Sequence, residues 1–257
     1  MIVSNHNSPS KNFSNFFVIS LKLYHIYDKV KSVMIKAENI FDDIEHMTAM
    51  WVDEVDAGEL ARIASVAIDN NVPFVSMPCS DTKTFWPWVE KTGVKILNRL
   101  TFCMEKNRSL DDVISEFATN VNSAFRSGAY GIQVIVPLDE ISQFTDAILP
   151  IKNDLFFDRY ISVGVDIDDA SCQDWPDIFG KLRQINPNSI LVMGHIDKFS
   201  PKSDFVGQIY GMLENWNLDA DLHLMFGKNM LRVSQVLRLT QKMAPKLMKN
   251  MRVFISK

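Results

Sequence analysis

From residue 49 onward the chain alternates between two hydrophobic periods. Short, nearly continuous apolar runs recur at 49–55, 72–78, 94–102, 130–136, 160–167, 189–196, 220–226 and 251–257. Between them, at about 57–70, 82–92, 109–127, 139–152, 173–185, 203–216 and 229–249, the apolar positions fall at helical spacing. The clearest unit is DAGELARIASVAIDNN (56–71), whose Leu60, Ile63, Ala64 and Ala67 share one helical face, followed by the strand-like VPFVSMP (72–78). Runs that are apolar on both faces are those of buried parallel strands, and their alternation with amphipathic helices predicts a TIM (β/α)8 barrel. Gly93 and Gly128 sit where helices should stop, and Ser109 opens a helix with two acids in its first turn. The eighth strand coincides with the end of the sequence, with no eighth helix after it.

Residues 34–257 are the predicted barrel domain, and 1–33 read as an N-terminal extension. Residues 1–15, rich in Ser and Asn, are expected to be disordered. Two readings of the extension stay open: a translated leader ahead of a start at Met34, or a helix over 16–33 that docks on the bottom of the barrel. Its apolar stretch from Phe16 to Tyr27 is broken by Ser20, Lys22 and His25 and falls short of the ~20 residues of a membrane span. With one lysine before Phe16 and no small-residue cleavage pattern, it does not read as a secretory signal. The net charge of −4 supplies no basic footprint for nucleic acid or an anionic membrane. Cys79, Cys103 and Cys172 are too few and too scattered for a disulfide framework or a paired-cysteine zinc motif, which favours a reducing, cytoplasmic setting.

In the second to fourth units the sequence is similar to the deoxyribose-phosphate aldolase family. VKILNRLTF (94–102) and SLDDVISEFATNVNSAFRSGAYGIQVIVPL (109–138) match its Val-Lys strand, the helix after it and its Asn-Gly-Ala-Asp-Glu-Ile-Asp-Met-Val strand, and AIDNNVPFVSMP (67–78) matches its Ala-Ile-x-x-Gly-Phe-x-x-Val-Cys-Val-Asn-Pro segment, with Pro78 in the place of that Pro. The resemblance implies an aldolase-type barrel with carbon–carbon lyase activity on a small sugar-like or carbonyl compound, phosphorylated or not, and no cofactor. It also implies a lysine nucleophile in strand six, a second lysine in strand seven and an aspartate in strand four. Those positions here are Val192 or Met193, His223 and Gln133. In place of the family's Gly-Gly phosphate loop the chain reads FGKN (226–229).

The candidate chemistry is therefore gathered at the C-terminal ends of the strands, where barrel enzymes hold their sites. Gln133, Asp166, His195 and His223 are the candidate catalytic residues, with Asp53, Asn98, Arg99, Lys198 and Lys228 as candidate substrate-binding residues. No metal is assigned, although Asp166, His195 and His223 could together make an open metal site for a lyase or epimerase. The partner expected is a small molecule, and self-association is open. The rival reading is a barrel without catalysis that binds a ligand or a protein partner. Cys79 and Trp51, Trp86 and Trp88 are secondary candidates, as a nucleophile and as stacking surfaces.

Overall fold

The computed structural model describes residues 47–104, 108–156, 158–170, 174–194, 205–227 and 229–256, all within one compact unit, Ile44–Lys257. The expected division at 33/34 and the N-terminal extension lie outside the described residues. Eight strands, β1 (Thr48–Trp51), β2 (Phe74–Pro78), β3 (Lys95–Thr101), β4 (Gly131–Ile135), β5 (Tyr160–Asp166), β6 (Ser189–Met193), β7 (Asp221–Met225) and β8 (Arg252–Ser256), pair in sequence order, every pair parallel. β8 pairs with β1, from Thr48↔Val253 to Trp51↔Ser256, and closes the sheet into a barrel. This is the TIM (β/α)8 architecture that the hydrophobic pattern predicts.

Among the described residues the α-helices are α1 (Ala57–Asp69), α2 (Cys79–Val89), α3 (Leu110–Arg126), α4 (Ile141–Ile148), α5 (Lys152–Phe156), α6 (Trp175–Ile185), α7 (Phe205–Glu214) and α8 (Met230–Met243). Their starts are set by local chemistry. The Asp56 and Ser109 side chains accept from the backbone N–H of Glu59 and Asp112, and Asn229 does the same for Arg232 at the start of α8. Prolines account for the departures from the expected helices. Pro150 divides the expected 139–152 helix into α4 and α5, Pro245 turns the end of the 229–249 pattern into a 3-10 segment, and Pro87 lies two residues before the end of α2. Gly128, at φ 97°, makes the turn after α3, and a Cβ there would stand 2.3 Å from the Trp86 ring.

Strand alternation sorts the core into two shells. Met50, Val75, Met77 and Ile96 face outward and pack on Leu60, Ile63, Ala64 and Ala67 of α1 and on Phe85 and Val89 of α2. Ala49, Trp51, Phe74, Leu97, Leu191 and Phe254 face inward and fill the barrel, with Ile135, Tyr160, Met193 and Met225 around them. At the N-terminal end Phe74, Tyr130 and Tyr160 stack at centroid distances of 5.5–6.3 Å, with the Lys95 ammonium 4.3 Å from the Tyr130 ring. They form an aromatic floor.

Candidate functional site at the barrel mouth

The opposite end carries the polar groups. On β3 the side chains alternate, so Leu97, Arg99 and Thr101 face in while Asn98 faces out. Arg99 is held from three sides. Its guanidinium lies 3.9 Å from the Trp51 ring centre, and Nη2 donates to the Val52 carbonyl at 2.9 Å and to Asp53 Oδ1 at 3.1 Å. Trp51 Nε1 donates to the same carboxylate oxygen, also at 3.1 Å, so indole and guanidinium share one acceptor. Arg99 Nη1 is buried and has no partner. Burial lowers the Arg99 pKa from its ordinary value, against the opposing pull of Asp53 and of Asp81. Asp81, in the first turn of α2, is buried and was not among the residues singled out from sequence. The available signal was its place three residues after Pro78, the residue that pairs in register with Arg99.

The other candidates divide. Asp166 ends β5 at the rim, where its Oδ1 accepts from the Asp168 N–H at 2.9 Å and so starts the short 3-10 turn 167–169. Asn98 lies between sheet and helix, donating to Thr82 Oγ1 of α2 at 2.7 Å with no exposed surface. That geometry corrects its assignment to substrate binding: strand alternation turns its amide away from the barrel interior. Gln133 is inward and fully buried, its Oε1 accepting from Ser76 Oγ at 2.6 Å, which makes the pair part of the floor of the mouth. His195, Lys198 and Lys228 lie outside the described residues.

His223 does point into the barrel, but deep. It is the middle residue of β7, packed 5.8 Å from the ring of Phe74, the first residue of β2, and 5.6 Å from Phe254. Its Nδ1 has no partner, and burial, with a smaller push from Arg252, lowers its pKa to about 3. It is a neutral imidazole in an aromatic core. Asp166, by contrast, is in register with Met193, and Met193 with Met225, one inward position nearer the rim than His223. No group of three metal-ligating side chains occurs among the described residues, which do not include the His195 of the Asp166–His195–His223 reading. The inward positions of β6 and β7 are Ser189, Leu191, Met193 and Asp221, His223, Met225, none of them lysine. Val192, the alternative nucleophile position, faces outward.

A buried ion pair joins α8 to the turn that follows β5. Arg232 Nη1 of α8 donates to Asp168 Oδ2 at 2.9 Å, with both side chains under a tenth exposed, and the guanidinium lies 4.7 Å from the Phe205 ring centre. Gly194 fits against this pair, a Cβ there standing 2.8 Å from Arg232 Nη1. Trp51 is covered by Arg99 on one face and meets Phe254 edge-on, so it is wall and not a stacking surface. Cys79 begins α2 and is half-buried. A surface groove of about 370 Å³ beside Tyr130, Tyr160 and Asn188 belongs to the N-terminal end, away from these groups.

No protein-family model matches the chain, and no curated protein sequence matches it. Solved structures do. QR15, an aldolase, superposes with a TM-score of 0.61 at 11% identity over 83% of this chain and 91% of its own. Deoxyribose phosphate aldolase from Aeropyrum pernix gives 0.58 at 10% identity over 84% and 86%, and the HMG-CoA lyase from Brucella melitensis 0.52 at 12% over 81% and 80%. The chain is a (β/α)8 barrel, a fold it shares with these aldolases and this lyase. Its likeness to the deoxyribose-phosphate aldolases is a distant one, of architecture. No helix among the described residues is long and apolar enough to cross a membrane.

Proposed function

We propose that this barrel binds a small carbonyl or sugar-like compound at its C-terminal mouth, with Arg99 as the principal ligand-binding side chain, and that any carbon–carbon lyase step there proceeds without an imine to β6 or β7. The observation that carries the reading is the Arg99 corner: a cation fixed by Trp51, the Val52 carbonyl and Asp53, yet left with Nη1 unpartnered. A buried N–H on a charged group costs free energy until something accepts from it, and a ligand oxygen is a suitable acceptor. Asp53 offers an exposed carboxylate beside it, and Asp166 stands on the β5 side of the rim. Gln133 supports the floor through Ser76, and His223 contributes volume and a neutral ring. His195, Lys198 and Lys228 complete the candidate set from sequence.

The chemistry of the strand positions supports the imine-free reading. A Schiff-base nucleophile must be an amine, and its acidity is tuned by a neighbouring cation. The positions that the resemblance assigns to those groups carry Val192 or Met193 on β6 and His223 on β7. The lack of an amine at these strand positions also supports the second reading, ligand binding without turnover. A cytoplasmic setting and self-association accompany the proposal; the Aeropyrum pernix structure is described as tetrameric.

The test is calorimetric titration with acetaldehyde, glyceraldehyde and 2-deoxyribose, each with and without phosphate where it exists, followed by borohydride reduction and mass spectrometry. Binding that falls about tenfold or more in Arg99→Met, with no mass gain on reduction, is expected. A stable adduct would overturn the imine-free reading, and its location at Lys198 or Lys228 would identify a displaced nucleophile. Absence of binding by every compound would overturn the site.

A further inference from the structure

Resting on the mouth as the ligand site, we propose that the ligand group received at Arg99 is an uncharged hydroxyl and not a phosphate or carboxylate, with Asp81 as its second binding residue. Arg99 Nη1 is a buried donor without an acceptor. Asp81 Oδ2 is a buried acceptor without a donor, its Oδ1 taking only the Ser80 hydroxyl at 3.1 Å. The two residues belong to the same corner of the barrel: Pro78 pairs in register with Arg99 and leads directly into the helical turn that carries Asp81, whose charge acts on Arg99. A hydroxyl both accepts and donates, so one such group satisfies both atoms at once.

An oxyanion satisfies only one of them. It would accept from Arg99 but bring its charge against the acidic Asp81 side chain, and it has no hydrogen to donate to the Asp81 oxygen. Asp53 already occupies the other terminal nitrogen of Arg99, so the corner holds one positive and two negative side chains. Its net charge is 1 − 2 = −1, and like charges in a partly desolvated site discriminate strongly between ligands. The inferred specificity is thus for the hydroxylated, unphosphorylated end of a sugar-like compound, whatever the rest of the mouth does.

The experiment is calorimetric titration of the full chain with glyceraldehyde and 2-deoxyribose, against glyceraldehyde 3-phosphate, 2-deoxyribose 5-phosphate and inorganic phosphate. Asp81→Ala, Asp81→Asn and Arg99→Met are compared, each checked by circular dichroism. The unphosphorylated compounds are expected to bind at least as tightly as their phosphates, and to lose about tenfold in affinity in Asp81→Ala, the worth of one hydrogen bond to a charged group. Asp81→Asn, which keeps an oxygen acceptor and removes the charge, is expected to raise affinity for the phosphates. Preferential, Arg99-dependent binding of the phosphates by the unaltered protein would overturn the hydroxyl assignment while leaving the mouth as the ligand site. Sugar binding indifferent to both Asp81 variants would overturn it as well, showing that the Asp81 oxygen is met by solvent alone. Failure of every compound to bind would overturn both readings.

Discussion

His223→Leu separates an imidazole that is structural from one that titrates in function. The folded chain keeps this ring neutral down to about pH 3, because the packing of Phe74 and Phe254 leaves no water to solvate a cation. In the unfolded chain the same ring takes up a proton near pH ~6.5. Between those values the unfolded state binds one more proton than the folded state, so stability rises with pH and is lost as pH falls, by roughly 1.4 kcal/mol per unit. From pH 6.5 to 4.5 this single group should therefore remove roughly 2–3 kcal/mol. Leucine has similar bulk and no charge, and deletes that contribution. Urea denaturation of both proteins at half-unit steps from pH 7.5 to 4.5 should give curves that converge or cross as the pH falls, the difference between them changing by that amount. Parallel curves would refute the reasoning, since they would mean that His223 can be protonated in place.

Removing one partner of the buried rim pair in Arg232→Met should destabilise by about 3–5 kcal/mol in chemical denaturation, and Arg232→Met with Asp168→Leu should recover much of it. If the double variant is no better than the single, the buried carboxylate is not the source of the loss. Ser76→Ala, which strips the hydrogen bond from the buried Gln133 Oε1, should cost about 1–3 kcal/mol, whereas Ser162→Ala, whose hydroxyl has no partner, should cost well under that; equal costs would contradict the pairing. Gly128→Ala should lower the melting temperature by several degrees, because both its positive φ and the Trp86 ring oppose a side chain; an unchanged melting temperature would show that the turn can rebuild.

The barrel was legible because its evidence is repeated: eight apolar runs and the helical stretches between them give the same answer, and each strand was placed within a few residues. Helix ends were missed where proline acted, at Pro150 and Pro245, since amphipathic spacing continues through a break that backbone chemistry imposes. Site residues were legible only as far as strand alternation could be read. Arg99 and Asn98 are sequence neighbours and both polar, and pleating sends one to the mouth and the other to Thr82. Depth was not legible at all. His223 and Met225 share the inward face of β7, and only pairing with neighbouring strands shows that the histidine lies below the rim, among aromatic rings. Asp81 escaped notice because it sits on a helix, where an acid in the first turn ordinarily serves the dipole.

A sheet that closes on itself, β8 to β1, has no lateral border with unsatisfied backbone N–H and C=O groups. The barrel sheet therefore cannot recruit another copy, or any extended peptide, by adding a strand at its edge, a route by which sheet proteins aggregate. Within the barrel, contact with other macromolecules falls to the outer helices and the loops. Val206 and Tyr210, one turn apart on α7, and Leu231 on α8 are the large apolar side chains left open on neighbouring helices. Selection on assembly can thus act on that outer layer by single side-chain changes, while selection on ligand preference acts at the mouth, with little interference between the two.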